Sequence, residues 1–175
     1  YQKNNTIALS DVLPIIENMG LRAISERPFS LKIDEEKTYW VNEFTIFYPH
    51  AKNLDIDDVR ENFQTAFLKV WHEEAENDGF NQLVMASSLD WREVMMLRAY
   101  AKYFKQMGMT YSHDYIEHAL LNNIPLTKKL TQFFQARFKP AIEGDRIAMQ
   151  NQLHEEMLQD LEHGSNLDED KIIRQ

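Results

Sequence analysis

The feature that most constrains this chain is a change of hydrophobic periodicity near residue 50. Before that point, residues 29–33 and 40–48 alternate apolar and polar side chains, as half-buried strands do. From Leu54 onward, apolar residues recur every three or four positions, as they do on one face of a helix. The pattern predicts a mostly α protein of the α+β class, with a small α/β unit at 1–49 and a multi-helix bundle at 54–175.

The first unit is expected to begin with a short helix followed by two strands. Ser10 or Asp11 can cap the helix, and Gly20 can end it just after Met19. Pro28 lies in the first of the two strands and indicates an edge position, because proline cannot donate to a strand ladder. An ion pair between Glu26 and Arg27 is a candidate contact at this edge.

Two strands alone do not form a stable sheet, so we expect a partner strand before Tyr1. Gln175 falls in the first turns of a helix, and the chain therefore resembles a piece of a larger protein. The strand edge left open at the N-terminus is expected to pair with another copy or to be covered by the N-terminal residues.

The helical region is divided by capping residues and by glycine or proline stops. Its inward-facing side chains are expected to include Met107, Phe138 and Met149. The predicted segments are a long helix from Asp55 to near Gly79, a short buried helix at 80–87, a helix from Asp90 to Gly108, one from Ser112, one from Pro125 to Pro140, an amphipathic helix with Ile142 that stops at Gly164, and a last one from Leu167.

Composition excludes several classes of function. The net charge is −9 and the sequence pI is about 5.1, which disfavours a nucleic-acid partner or an anionic membrane. The chain has no cysteine, so it has no disulfide or thiolate chemistry, and a cytoplasmic location is expected. Its five glycines are at least 20 positions apart, too far for a dinucleotide-binding or P-loop motif.

Six histidines raise the alternative of a metal site. In its sharpest form, His72, His113 and Asp114 would join Asp145 or Asp160 in a helical phosphohydrolase. The structural alternative is that Asp114 compensates the dipole of its helix while the histidines lie on solvated faces.

An anion site is a second candidate. Arg98 and Lys102 lie four positions apart, on one helix face, and could hold a carboxylate. The commoner outcome for such an arginine is that it covers a neighbouring aromatic ring. The methionines and aromatic stripes are expected to be core, or shared between core and interface. Since no nucleophile motif is present, the residues alone indicate a non-catalytic module.

Several collinear stretches resemble the large NAD-specific glutamate dehydrogenases of bacteria. The similarity covers nearly the whole chain. It is carried by LSDVLP at 9–14, ENMGLR at 17–22, ERPF at 26–29, EAENDGFN at 74–81, WREV at 91–94, LRAYAKY at 97–103, YIE at 115–117, QARF at 135–138 and NLDEDKI at 166–172.

The resemblance implies a segment N-terminal to the catalytic domain, where ACT-like modules run into helices. Residues 1–49 would be a truncated ACT-like unit, and residues 54–175 would lead toward the catalytic region. The parent would oxidise L-glutamate with NAD, while this segment would hold no catalytic residue, cofactor or metal. The implied partners are other domains of the polypeptide and other subunits of a homo-oligomer. An amino-acid effector at the turn from Asn4 to Asp11 is also implied as a candidate.

Two hypotheses follow. The first is a regulatory and scaffolding segment of an oxidoreductase, and the second is a stand-alone metal-dependent phosphohydrolase or adaptor. Retention of a divalent ion would separate the enzyme form of the second from the first.

Overall fold

The structure is a computed structural model that describes residues 2–3, 6–33, 38–50, 56–140, 144–162 and 167–174. The predicted Asp55 cap, Ile142 and the Gly164 stop lie outside these residues. The chain divides into two compact units, 1–91 and 92–175. The expected domain boundaries, 1–49 and 54–175, stay a prediction. The fold class is confirmed: a small sheet unit is followed by helices.

The first of these two units, residues 1–91, contains a three-stranded antiparallel sheet in the order β1-β3-β2. Its strands are β1 (Gln2–Lys3), β2 (Arg22–Lys32) and β3 (Thr38–Phe47), and α1 (Leu9–Asn18) lies between β1 and β2 in sequence. Since β1 and β2 are both antiparallel to β3, they run parallel to each other and form a split βαβ arrangement. Pro28 lies in the edge strand β2, as predicted.

The N-terminal residues cover part of the outer edge of β3. Gln2 pairs with Trp40, and Lys3 pairs with Tyr39. This agrees with one of the two outcomes expected for that edge. On the opposite side of β3, the ladder with β2 extends from Arg22 to Lys32, with a bulge between Ala23 and Ser25.

Helix α1 ends as predicted but begins differently. Gly20 adopts a positive φ of 79°, and the N–H groups of Gly20 and Leu21 donate to Glu17 and Ile16 in a Schellman ending. The expected cap by Ser10 or Asp11 is wrong. The helix begins at Leu9, after Ala8, two residues earlier than a Ser10 cap would give, and the Ser10 hydroxyl donates to Asp11 instead.

Helix α2 (Ile56–Trp71) stops well before Gly79. Glu73 has a φ of 59°, and the N–H groups of Glu73 and Glu74 donate to Val70 and Lys69. A non-glycine residue therefore forms the same ending that Gly20 forms after α1. The chain then makes a 3-10 turn at Gly79–Asn81 and enters α3 (Gln82–Ser87), the short buried helix that was expected.

The core of the first unit forms where the helices meet. Helix α1 packs against β2 and α2, and α2 packs against α3. The most deeply buried apolar side chains there are Met19, Val59, Phe80, Leu83 and Val84.

The described residues of the second unit form helices α4 to α8. Ser112 caps α5 by accepting a hydrogen bond from the Tyr115 N–H, as predicted. Helix α6 packs against α5 and α7, and α5 also packs against α8. The helices are α4 (Trp91–Gln106), α5 (His113–Asn122), α6 (Ile124–Phe138), α7 (Arg146–Glu162) and α8 (Leu167–Ile173).

Besides Tyr100, which is 43% exposed within α4, three side chains expected to face inward do not. Met107 is 66% exposed because α4 has already ended at Gln106, with Gly108 in the left-handed conformation. Phe138, at the last position of α6, is 55% exposed. Met149 is exposed in the first turn of α7. Each lies at or next to a helix end, where the neighbouring helix gives less cover than the periodic pattern assumes.

Candidate functional site

The second unit contains an apolar cavity of about 450 Å³. Helices α4, α5, α6 and α8 all contribute to its wall. The side chains that define it include Leu97, Tyr100, Ile116, Leu120, Phe134 and Ile173. A concave apolar site of this size falls within the roughly 300–1,000 Å³ range of small-molecule pockets.

One wall of the cavity is a row of aromatic rings. Tyr100 meets Phe134 edge to face, with 6.1 Å between ring centroids. Phe134 in turn lies 4.8 Å from Phe138, and Tyr100 lies 6.3 Å from Phe104. Tyr100 and Phe138 are both partly exposed, so this row runs from the interior of the unit to its surface.

Arg137 is the one charged side chain among the described residues that line the cavity. It is exposed, and its guanidinium carbon lies 5.5 Å from the centroid of the Phe138 ring. The guanidinium therefore marks the open side of the cavity and lies against an aromatic face.

Helix α8 closes the cavity because polar contacts hold it against α5. Asn122 and Asn123 donate amide hydrogen bonds to the Glu169 carboxylate, at 2.9 and 2.8 Å. The Tyr111 hydroxyl donates to Asp168 at 3.1 Å. Desolvation, followed by this bond to Asp168, raises the pKa of Tyr111. These contacts place Ile172 and Ile173, both buried, in the wall of the cavity.

Helices α6 and α7 are joined by a separate charged network. The Lys129 ammonium lies 2.8 Å from Asp160 and 3.3 Å from Glu156. The bond to Asp160 is the main cause of a raised pKa at Lys129. The Gln152 amide and then Lys129 lower the pKa of Glu156. The same two helices also contribute Leu126 and Met157 to a buried apolar cluster that includes Ile173.

The residues of the metal hypothesis have other local roles. His72 is exposed after α2, and His113 is the first residue of α5. Asp145 accepts hydrogen bonds from the N–H groups that begin α7, and Asp160 pairs with Lys129. Asp114 is exposed in the first turn of α5. Across the described residues, no group of three or more histidine or carboxylate side chains is arranged to hold a metal ion.

The other candidate sites are only partly formed. Arg98 is 2% exposed while Lys102 is exposed, so an anion would have to reach a guanidinium that its neighbours cover. Glu26 accepts a hydrogen bond from Asn42 across the strand pair. Arg27, the ion-pair partner proposed for Glu26, points to the other face of β2, because successive strand residues alternate.

The turn proposed for an effector spans Asn4 to Asp11, and its first two residues lie outside the described part of the chain. Its described residues, from Thr6 to Asp11, are exposed or half-buried, and the last three of them already belong to α1. Binding of an amino acid at this turn stays a prediction.

Sequence reasoning did not locate the cavity. The aromatic residues of α4 and α6 were expected to be core or interface, and the period of 3.6 correctly placed Leu97, Ala101 and Phe134 on one side of their helices. What the pattern could not indicate is that four helices would leave space between these side chains. Among the described helices, none is long and apolar enough to span a membrane.

Comparison with known proteins finds similarity along nearly the whole chain. Residues 1–59 match the family described as the ACT3 domain of glutamate dehydrogenase, and residues 75–140 match its helical motif 3. Over 99% of its length, the chain is 37% identical to the NAD-specific glutamate dehydrogenases of Halomonas elongata and Pseudomonas aeruginosa. Over 97% of its length, it is 36% identical to that of Mycobacterium tuberculosis.

The chain spans 11% of the length of each of these three relatives. The matches confirm the resemblance seen in the sequence motifs, and they extend over nearly the whole chain.

Proposed function

Because residues 1–59 and 75–140 belong to the ACT3 and helical-motif families of glutamate dehydrogenase, we propose that this chain is a non-catalytic regulatory and scaffolding segment of an NAD-dependent glutamate dehydrogenase. The whole enzyme would convert L-glutamate, NAD and water to 2-oxoglutarate, ammonium and NADH. NAD would bind elsewhere in the polypeptide. The cytoplasm is the proposed location, in keeping with the absence of cysteine.

The observation that carries this proposal is the order of the two matches. A split βαβ sheet unit falls in the ACT3 segment, and the helices α4 to α6 fall in the helical-motif segment. The wide spacing of the glycines also supports NAD binding outside this chain, since a dinucleotide loop needs glycines a few residues apart.

A scaffolding role also finds support in the exposed face of the sheet. Phe29 pairs with Val41 and Leu31 pairs with Tyr39, so these four residues share one face. Phe29, Leu31 and Val41 are 50%, 59% and 36% exposed. We name these three residues the sheet-face cluster. Its proposed partners are other domains of the same polypeptide or other subunits of a homo-oligomer.

The proposal is tested by the size and activity of the natural polypeptide. An antibody raised against this chain should detect a band far above 20.8 kDa in cell extract. Immunodepletion with the same antibody should remove NAD-dependent glutamate oxidation from that extract. A band at 20.8 kDa, or activity that stays in the depleted extract, would contradict the proposal. As a matched control, the isolated 175-residue chain should produce no NADH from glutamate and NAD.

A further inference from the structure

We propose that the cavity between α4, α5, α6 and α8 binds an amphipathic monocarboxylate. Its apolar body would occupy the cavity, and its carboxylate would pair with Arg137. This inference concerns residues 92–175 alone and does not depend on the reaction of the whole enzyme.

The size and lining of the cavity support an apolar body. The cavity of about 450 Å³ opens to the surface beside Arg137 and Phe138. Its wall consists mainly of leucine, isoleucine and aromatic side chains. Because its lining offers few hydrogen-bond partners, an alkyl or aryl group would be a better occupant than ordered water.

The charge at the mouth supports a carboxylate. Arg137 supplies the positive charge at the open side of the cavity, in a chain with nine more acidic than basic residues. On the same helix, Lys129 is held by both Asp160 and Glu156. In the described part of the chain, the contact found for Arg137 is the ring of Phe138, and no carboxylate pairs with it. A planar guanidinium is well matched to a carboxylate.

The same geometry disfavours a phosphate ligand. Arg137 is the one charged group among the described lining residues, so a doubly charged anion would remain half-neutralised. A monocarboxylate carries a single charge, and the Tyr100 hydroxyl on the same wall could supply a second donor.

The test compares octanoate with 1-octanol, which share a chain length and differ in charge. Binding is measured by equilibrium dialysis on the natural polypeptide that contains this sequence. We expect one saturable octanoate site, with weaker binding of octanol. Arg137→Gln should weaken octanoate binding about tenfold, as expected for loss of a charge-assisted hydrogen bond, and should leave octanol unchanged. Lys128→Gln is the matched control, because it removes an exposed charge from α6 away from the cavity.

A second variant locates the ligand. Ala101 is buried and lines the cavity, so Ala101→Leu should fill the space and abolish binding of both probes. Circular dichroism then checks that the helices remain. Three results would overturn the proposal. The first is that octanoate shows no saturable binding. The second is that Arg137→Gln weakens the binding of octanoate and octanol equally. The third is that a folded Ala101→Leu variant binds octanoate as well as the unmodified chain does. The first result would indicate that a protein segment covers the cavity instead.

Discussion

At the scale of single residues, the helix ends show what decides the course of this chain. The left-handed residue that follows a helix is glycine after α1 and α4, at Gly20 and Gly108, but it is Glu73 after α2. A side chain with a Cβ is strained there, since the left-handed conformation costs about 1–2 kcal/mol in an L-residue. The hydrogen bonds of Glu73 and Glu74 to the end of α2 offset this cost.

Replacement of Glu73 by glycine is therefore expected to stabilise the chain. Glu73→Gly should raise the free energy of unfolding by about 0.5–1 kcal/mol, because glycine adopts a positive φ without a Cβ clash. Urea unfolding followed by circular dichroism measures the change. Glu73→Ala is the matched control and should give little gain, because alanine keeps the Cβ. Equal stabilisation by both variants would show that the charge of Glu73, and not its backbone, is responsible.

Glu73 also shows why the sequence misplaced one helix end. Reasoning from residue types looks for glycine as a stop, and the next glycine after α2 is Gly79. Glutamate has no particular preference for a positive φ, so the residue type at position 73 does not predict one. Gly20 and Ser112, in contrast, were identified correctly because their residue types favour those conformations directly.

At the scale of elements, α8 is a short helix that depends on its contacts with α5. Its seven residues are too few for a helix that is stable alone in water. The Glu169 carboxylate accepts hydrogen bonds from both Asn122 and Asn123, at the end of α5. It therefore joins two elements that are far apart in sequence.

Loss of the Glu169 carboxylate should loosen α8. Glu169→Ala is expected to lower the local opening free energy of 167–174 by about 1–2 kcal/mol, because two amide donors lose a charged acceptor. Amide hydrogen exchange measured by mass spectrometry reports this directly. Lys171→Ala, an exposed position on the same helix, should leave exchange nearly unchanged. Equal exchange in both variants would mean that Ile172 and Ile173 hold α8 without polar help.

The contact between α6 and α7 should depend on pH through Glu156. Its pKa is lowered in the folded chain, so its contribution is present above the ordinary glutamate value, near 4.3, and is lost as pH falls through the folded value. At neutral pH, Glu156→Gln should melt at a lower temperature than the unmodified chain, and the difference should close in acid. Glu155→Gln, at the exposed neighbouring position, is the control and should show no such pattern. If the difference in melting temperature persists in acid, the packing of the Glu156 side chain, and not its charge, is responsible.

At the scale of the whole molecule, periodicity was enough to predict the order of a sheet unit and helices. The change of hydrophobic periodicity near residue 50 reflects the different side-chain spacing of strands and helices. It therefore predicts the type of each element however the elements are arranged in space. The pattern did not indicate which apolar faces would be covered. Phe29 and Leu31 alternate as core residues do, yet they are exposed, because alternation specifies a face and not the layer that packs on it.

The sheet-face cluster gives the last prediction, which concerns the natural polypeptide. Leu31→Lys places a charge among Phe29, Leu31 and Val41, where another domain or subunit is proposed to pack. In the isolated chain, the change should alter the free energy of unfolding by less than about 0.5 kcal/mol, because the position is already exposed. In the natural polypeptide, it should weaken the proposed assembly, measured as loss of the oligomer peak in size-exclusion chromatography, and should lower the proposed glutamate oxidation with it. Thr45→Lys, at a polar position on the same face, is the matched control. If Leu31→Lys and Thr45→Lys assemble alike, the cluster is solvent-exposed in the natural polypeptide and does not act as a scaffold surface.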